Sequence, residues 1–119
     1  TDFGDLSAAR QQGDALSNAT RTVFTGGYES SSSNTLEFVT TDTTGNVTDF
    51  GNLSEGSRRL ASTSNATRGI IAGGDGTNLR SKIEFITIAS AGNSASFGNL
   101  LANTDSCNSG FSSAHGGLQ

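Results

Sequence analysis

Few residues in this sequence have side chains that commonly carry out catalysis or hold a metal. His115 is the only histidine and Cys107 the only cysteine, so one chain cannot assemble a cysteine–histidine metal cluster or close an internal disulfide. A Ser-His-Asp triad is possible by composition, but any chain rich in serine and aspartate with one histidine would allow it. At an offset of 47 residues, His115 falls on Arg68 and Cys107 on Leu60. We therefore interpret both as variants of structural positions, and we expect no enzyme and no cofactor.

Two arginine–glutamate pairs with identical spacing are more informative. Arg21 and Glu37, and again Arg68 and Glu84, are 16 residues apart, and each glutamate lies between apolar neighbours. A carboxylate in such a place is costly to bury without a partner. The spacing therefore predicts two structural ion pairs, Arg21 with Glu37 and Arg68 with Glu84, inside or between repeated units.

Three phenylalanines recur every 47 residues inside the pattern [Asp/Ser]-Phe-Gly-[Asp/Asn]-Leu, namely Phe3, Phe50 and Phe97. They could be platforms on which sugar rings stack, but aromatic residues at repeat spacing more often belong to a core. We interpret the pattern, named here the seam motif, as the junction between units. In its middle copy we expect Phe50 and Leu53 to pack, and Gly51 and Asn52 to form a turn.

The elements that position these residues are repeats of 47 residues. Residues 2–48 and 49–95 align without a gap, and residues 96–119 begin a third copy. A spacing that is constant to the residue is typical of stacked structural repeats, because each unit must meet the next in one register. We interpret residues 1–119 as a single repeat domain.

Short apolar runs alternate with turn-forming residues in each unit and predict an all-β fold. The runs are rich in β-branched and aromatic residues and are bounded by glycine, asparagine and serine. They cover residues 22–25, 36–40, 69–72 and 82–88. No window supports an amphipathic helix. The Gly-Asn pairs that close each unit, at 45–46 and 92–93, suit tight reversals because both residue types tolerate positive φ.

The paired glycines carry a family resemblance. An apolar strand ends in Gly26 and Gly27, a polar loop and a second strand around Glu37 follow, and a basic pair precedes the next unit, where Gly73 and Gly74 repeat the pattern. This order resembles the kelch repeat, whose period is roughly 50 residues. The resemblance implies that each repeat is one four-stranded blade of a β-propeller. The tryptophan usual in the family is missing, and the phenylalanine of the seam motif is assigned to its position.

The sequences of three short motifs point to a subgroup of kelch-like proteins. They are Phe-Gly-[Asp/Asn]-Leu in the seam motif, Asn-Ala-Thr-Arg-Gly at residues 65–69 and Ser-Ser-Ala-His-Gly-Gly-Leu at residues 112–118. Together they resemble kelch-like repeat proteins of tailed bacteriophages, especially those of marine and cyanophage type. The resemblance implies a non-enzymatic virion component of the tail or fibre. Copper sites of some kelch-type enzymes use tyrosine and histidine ligands, and this chain has one of each, so that activity does not carry over.

The length of the chain bears on how a propeller could close. A ring of four to eight blades of this size needs at least roughly 190 residues, and the chain has 119. We expect about two and a half repeats, with blades from about Thr22 to Ser64 and from Gly69 onward, and with residues 1–21 as the tail of a preceding blade. Either several chains close the ring, or the chain is part of a longer one. Because open blades would leave unpaired strand edges, we favour oligomerisation.

Composition and charge limit the classes of partner. The formal net charge is −4 and there is no run of lysine or arginine, so nucleic acid is not an expected partner. No apolar stretch approaches the roughly 20 residues needed to cross a bilayer. Only 32% of the residues are hydrophobic and 15% charged, which favours ordered, turn-rich β structure over a disordered chain.

We expect recognition through loop residues that differ between the copies, because positions fixed by packing are not free to contact a partner. These candidate contacts are Tyr28, Glu29, Ser30, Asp75, Thr77, Asn78 and Arg80. The expected function is a virion structural and host-adhesion module in an extracellular particle. Its expected partners are further copies of the chain, other virion proteins and a host-surface glycan. The alternative is a secreted, lectin-like, carbohydrate-binding propeller assembled from short chains.

Two other sequence features suggest calcium binding and glycosylation, but neither suggestion is well supported. Residues 73–79 faintly resemble calcium-binding glycine-rich repeats, but the first copy has no equivalent acidic turn. Four Asn-x-Ser/Thr sequons would carry glycans in a eukaryotic secretory protein, and they lie at Asn18, Asn46, Asn52 and Asn65. Because the sequons recur with the repeat, turn chemistry is the better explanation.

Overall fold

The chain folds as β-sheet, as the short apolar runs predict. The computed structural model describes residues 1–76, 80–104 and 110–112. Outside the described residues lie Thr77, Asn78, Cys107 and His115, together with the other residues of the C-terminal motif from 113 to 118. No described residue lies in a helix, so none lies in a helix long and apolar enough to cross a membrane.

Within the described residues, eight strands form two four-stranded antiparallel sheets in simple sequential order. Sheet 1 consists of β1 (Asp14–Ser17), β2 (Arg21–Thr25), β3 (Thr35–Thr40) and β4 (Thr48–Asn52). Sheet 2 consists of β5 (Ala61–Ser64), β6 (Arg68–Ala72), β7 (Arg80–Thr87) and β8 (Ala95–Thr104). The four predicted apolar runs correspond to β2, β3, β6 and β7.

Identical asparagine turns join the first two strands of each sheet. The Asn18 side-chain oxygen accepts hydrogen bonds from the backbone N–H groups of Thr20 and Arg21, both at 2.9 Å. Asn65 accepts the same bonds from Thr67 and Arg68, at 2.9 and 2.8 Å. Asparagine suits this role because its short side chain bonds to the backbone two residues on. The turn chemistry expected of these sequons is therefore present at both positions.

These turns also correct the expected unit boundaries. Each sheet begins one strand earlier than expected, at Asp14 and Ala61, because the asparagine turns join β1 to β2 and β5 to β6. Residues 14–17 therefore belong to sheet 1 and are not the tail of a preceding unit. The strands that were not predicted contain more small and polar residues than β2, β3, β6 and β7 do.

The core lies where the two sheets pack together. On sheet 1 the near face consists of residues that alternate along the strands, including Leu16, Val23 and Leu36, and sheet 2 contributes Ile71 and Ile86. The seam residues Phe50 and Leu53 are both buried in this core, as predicted. Burying each such aliphatic side chain stabilises the fold by about 1.5–3 kcal/mol. One face of each sheet is therefore committed to the junction between them.

Hydrogen bonds reinforce the junction along its length. The Arg21 Nη1 atom donates to the Ile88 carbonyl oxygen at 3.0 Å, and the Ser64 hydroxyl donates to the Ser17 carbonyl oxygen at 2.6 Å. Near the other end of β1, the Asp14 carboxylate accepts a 2.7 Å bond from the Ser62 N–H. Packing and hydrogen bonding together fix how one repeat meets the next.

The seam motif is extended rather than turned, which corrects the expectation for Gly51 and Asn52. Both residues lie in β4, and their outer edge bonds to the loop that precedes β8. The Gly92 N–H donates to the Phe50 carbonyl oxygen at 2.6 Å, and the Ser94 N–H donates to the Asn52 carbonyl oxygen at 3.0 Å. The seam motif therefore ties one sheet to the next through its backbone.

The first copy of the motif makes the same contacts with the loop that precedes β4. The Gly45 N–H donates to the Phe3 carbonyl oxygen at 2.7 Å, and the Val47 N–H donates to the Asp5 carbonyl oxygen at 3.1 Å. The Asn46 side chain accepts a bond from the Asp5 N–H at 3.0 Å. The Gly-Asn pairs do not form the expected tight reversals with positive φ. They bond instead to the copy of the seam motif that begins the same repeat.

Candidate functional site

The two buried glutamates of the repeats do not pair with the predicted arginines. Glu37 lies 2.8 Å from Arg10 Nη2, and Glu84 lies 2.6 Å from Arg80 Nη2. All four side chains are at most 5% exposed. The carboxylates are thus neutralised as their apolar neighbours require, but by arginines that the spacing argument did not select.

The register of the strands explains the correction. Arg21 is opposite Thr40, whereas Glu37 is opposite Phe24, so the two residues extend from opposite faces of sheet 1. Arg68 and Glu84 are separated in the same way in sheet 2, because their partners across the ladder are Thr87 and Ile71. A pair 16 residues apart across these hairpins therefore cannot meet.

Arg21 and Arg68 instead lie over aromatic rings. The Arg21 guanidinium carbon is 4.2 Å from the centre of the Phe38 ring, and that of Arg68 is 4.5 Å from the centre of the Phe85 ring. Such cation–π contacts contribute about 0.5–1 kcal/mol at exposed sites. Both arginines keep a structural role, with a different partner from the one predicted.

The surroundings of Glu84 favour its ionised form. Burial by itself would raise the pKa of Glu84, but hydrogen bonds from the Ser94 hydroxyl, the Ser54 N–H and Arg80 outweigh burial and lower that pKa below its ordinary value. The Ser94 hydroxyl donates at 2.6 Å and the Ser54 N–H at 2.9 Å. Glu84 is therefore a fixed anion at neutral pH and is unsuited to act as a proton donor.

A separate polar cleft lies where the loops of the two repeats meet. It has a volume of about 440 Å³ and is named here the loop cleft. The residues lining it are Tyr28, Ser30, Ser31, Ser32, Glu55, Gly56, Arg58 and Gly76. Tyr28 and Ser30 are thus two of the predicted contact residues that lie in the same site.

Equivalent backbone bridges hold the corresponding positions of the two loops. Tyr28 pairs with Gln11 through two backbone hydrogen bonds of 2.7 and 3.0 Å, and Asp75 pairs with Arg58 through two of 2.8 and 2.9 Å. Tyr28 and Asp75 occupy the same position in successive repeats, as do Gln11 and Arg58. The framework is repeated here, while the side chains that it presents are different.

Arg58 links the two variable positions. Its guanidinium carbon is 4.7 Å from the centre of the Tyr28 ring, and its Nη2 atom donates to the Asp75 carboxylate at 3.0 Å. Arg59 lies 3.7 Å from the same carboxylate. The ion pair and the stacked ring hold Arg58 in place, so one wall of the loop cleft is preorganised.

The other predicted contact residues divide into three groups. Glu29 is exposed near the cleft, 3.9 Å from Arg10 Nε. Arg80 does not belong to a surface loop, because its side chain is 4% exposed, pairs with Glu84 and lies 3.3 Å from Glu55 through its Nε atom. Thr77 and Asn78 lie outside the described residues. Sequence reasoning missed Glu55 and Arg58 as cleft residues, although Arg58 belongs to the basic pair of the kelch-like pattern.

The chemistry of the loop cleft is that of hydrogen bonding. Serine hydroxyls, a tyrosine, a carboxylate and a guanidinium surround it, which suits a polyhydroxylated ligand rather than an apolar one. Among the residues that the structure describes, no three aspartate, glutamate, histidine or cysteine side chains come together as a metal site. Glu55 is held to one side by Lys82 Nζ at 3.2 Å.

The three seam phenylalanines differ in exposure. Phe50 is buried and meets Phe38 edge to face, with ring centres 6.0 Å apart. Phe97 meets Phe85 in the same way at 6.3 Å, yet is 55% exposed, and Phe3 is 40% exposed. Phe50 is thus a core residue, as expected. The same expectation is wrong for Phe3 and Phe97, because the core between the two sheets buries only the middle copy of the motif.

Comparison with known proteins does not place the chain in a family. No protein-family model matches the sequence, and no curated protein matches it as a relative.

Proposed function

We propose that this chain is a non-enzymatic structural and host-adhesion module of a virion, a component of the tail or fibre of a tailed phage. The observation that carries the proposal is the contrast between framework and loops. The asparagine turns, the seam contacts and the bridges at Tyr28 and Asp75 repeat between the units, while the side chains presented in the loop cleft do not. A constant scaffold that presents variable loops suits recognition.

The proposal includes the kelch-like architecture. We infer that each four-stranded sheet is one blade of a β-propeller and that several chains, or a longer chain, complete the ring. Sequential antiparallel strands and face-to-face stacking of the two sheets support this. The long seam between the sheets, with its repeated backbone bonds, would make each junction rigid.

Adhesion would act through several weak sites at once. We propose that the loop cleft binds a glycan of the host surface, because its hydroxyls, Glu55 and Arg58 can bond to the hydroxyl groups of a sugar. Copies arranged by symmetry would then give useful avidity from modest individual affinities. Other virion proteins would anchor the assembly in the particle.

A glycan array probed with the purified chain tests the adhesive part of the proposal. We expect binding to a limited set of glycans, and loss of that binding in Arg58→Ala and in Ser31→Arg, which fills the cleft. The control variant Asn99→Ala changes an exposed residue of β8, away from the cleft. Unchanged binding by both cleft variants would contradict the assignment of the site.

Labelling of particles tests the structural part. An antibody raised against the purified chain should label the tails or fibres of phage particles that carry this sequence, as seen by electron microscopy. Absence of the chain from intact purified particles would reject the virion assignment.

The composition of the loop cleft also favours a second candidate, a secreted carbohydrate-binding lectin. The two candidates differ in location rather than in chemistry. Glycan binding by a chain that is released free into the medium, with no labelling of particles, would favour the lectin.

A further inference from the structure

The outward face of sheet 2 copies the face of sheet 1 that is buried at the junction. Val23 and Leu36 of sheet 1 are fully buried against sheet 2. At an offset of 47 residues they correspond to Ile70 and Ile83, which extend from the outward face of sheet 2 and are only half-buried. The outward face of sheet 2 is therefore apolar in the same way as the face of sheet 1 that packs against the inner face of sheet 2.

The aromatic residues of the two faces match in the same way. Phe38 and Phe50 form an edge-to-face pair at the junction, and Phe85 and Phe97 form the equivalent pair on the outward face. Phe50 is 3% exposed, whereas Phe97 is 55% exposed. Arg68 lies over Phe85 as Arg21 lies over Phe38. The outward face is thus arranged as a junction surface that no other sheet of the described chain covers, and residues 110–112 lie beside its β5 and β6 side.

The outward face of sheet 1 has the complementary form. Phe24 and Val39 correspond to Ile71 and Ile86, the residues of sheet 2 that receive sheet 1 in the core. Phe24 and Val39 line an apolar groove of about 340 Å³ together with residues of the first seam copy. This groove corresponds in position to the surface that is filled at the internal junction.

The seam glycines give independent evidence for an unfilled position. A Cβ atom added to Gly4 would overlap the carbonyl of Gly45, and one added to Gly51 would overlap the carbonyl of Gly92. The equivalent atom on Gly98 would meet no described atom within 4 Å. The third seam copy therefore leaves room for a Gly-Asn loop that the described part of the chain does not supply.

We propose that copies of this chain associate head to tail, with the outward face of sheet 2 of one copy packed on the outward face of sheet 1 of the next. The contact would reproduce the internal junction, and a second copy of the chain is its occupant. The inference deepens the proposed function, and rests on it, by naming the surface through which copies assemble. It does not depend on the glycan-binding role of the loop cleft.

Docking requires an exchange between equivalent segments. The loop at Gly45 to Val47 is bonded to the first seam copy of its own chain, and the third seam copy of the neighbouring chain would take that place. Gly110, which lies beside Ser62 and Thr63, must also move to admit the incoming β1. Exchange of equivalent elements between chains is a low-cost route to assembly. Because the contact joins two different surfaces, it generates a ring if the rotation closes and a fibre if it does not.

Blocking each surface separately tests the proposal. Phe97→Asp places a charge on the outward face of sheet 2, and Phe24→Asp places one on the outward face of sheet 1. In sedimentation experiments the unmodified chain should associate as its concentration rises, and each variant alone should stay at the 12.1 kDa monomer mass. An equimolar mixture of the two variants retains one intact junction and should form a dimer and nothing larger.

Circular dichroism identifies a variant that fails to fold. In that event Gly98→Arg replaces Phe97→Asp, because a Cβ atom on Gly98 would meet no described atom within 4 Å. Thr22→Arg replaces Phe24→Asp, because Thr22 lines the same groove on sheet 1 and is only half-buried. An unmodified chain that remains monomeric, or association that persists in both blocked variants, would overturn the proposed surface. Glycan binding by a monomeric chain would overturn this inference while leaving the adhesive function in place. If the chain associates through these surfaces but binds no glycan, and the antibody labels no particle, the proposed function would be overturned while the association surface is kept.

Discussion

Gly51 lies so close to Gly92 that a side chain cannot be placed between them. Gly51 has a φ of 150°, and a Cβ atom on it would overlap the Gly92 carbonyl across the seam. Gly4 and Gly45 repeat this relationship, with a φ of 148° at Gly4. The glycine of the seam motif is therefore required by the approach of two backbones.

Gly51→Ala should destabilise the fold. Strain at a backbone conformation of this kind costs about 1–3 kcal/mol, and the overlap with Gly92 adds to it. Urea titration followed by circular dichroism measures the change. Gly98→Ala is the control, because at the same position in the third copy φ is not positive and an added Cβ atom would meet no described atom. Equal losses in both variants would contradict the seam argument.

Glu84→Ala should cost about 3–5 kcal/mol, because removing one member of a buried pair leaves the other charge uncompensated. Arg80→Ala should cost a similar amount, since Arg80 and Glu84 are each 4% exposed. Arg68→Ala should cost only the cation–π contact, about 0.5–1 kcal/mol. Thermal melting of the three variants distinguishes the observed pairing from the one predicted by spacing. A larger loss for Arg68→Ala than for Arg80→Ala would refute the observed pairing.

Moving the arginine should restore stability. Ser57 occupies the position in the second repeat that Arg10 occupies in the first, and it is fully buried. We expect Arg80→Ser to destabilise sheet 2, and the double variant Arg80→Ser with Ser57→Arg to recover at least half of the loss. Ser57→Arg alone should be destabilising, because it buries a second arginine beside Glu84, where Arg80 already lies. No recovery in the double variant would show that the two arginine positions are not interchangeable.

Acid should weaken the fold through Glu84. Its pKa in the folded chain is lowered from the ordinary value of 4.5, so its ionised form contributes stability at higher pH. That contribution is lost as pH falls below about 4.5 and through the folded pKa. Melting temperatures measured from pH 7 to pH 2 should show a steeper acid limb for the unmodified chain than for Glu84→Gln. Asn99→Ala is the control, because it changes an exposed residue of β8 and leaves Glu84 and its partners in place, and its acid limb should match that of the unmodified chain.

The strands that could be predicted are those whose side chains are apolar on at least one face. β2, β3, β6 and β7 have β-branched and aromatic runs, and the sequence identifies them. β1 reads Asp-Ala-Leu-Ser and β5 reads Ala-Ser-Thr-Ser, so neither has an apolar run. β1 and β5 become strands because they pair with β2 and β6 and pack on one another. These are tertiary effects that the local sequence does not contain.

The candidate site was less accessible to prediction than the fold. Comparison of the two repeats identifies Tyr28 and Asp75 as variable positions, but not that Arg58 joins them. The arginine partners of Glu37 and Glu84 were missed because the prediction used only the constant spacing of 16 residues between arginine and glutamate. That spacing does not say which face of a sheet a side chain occupies. Counting positions in steps of two along the paired strands places Arg21 and Glu37 on opposite faces. That test needs only the register of the hairpin.

The placement of the arginines limits how the gene for such a chain can lose or gain repeats. The first repeat has arginine at position 10 and serine at 33, and the second has serine at 57 and arginine at 80. An unequal crossover between these positions that removes one repeat would give a unit with two arginines and one glutamate. The reciprocal product would contain a unit with a buried glutamate and no arginine, an arrangement that is costly to fold. Although the repeats look interchangeable, recombination within this interval should be selected against, and repeats should be exchanged only at breakpoints outside it.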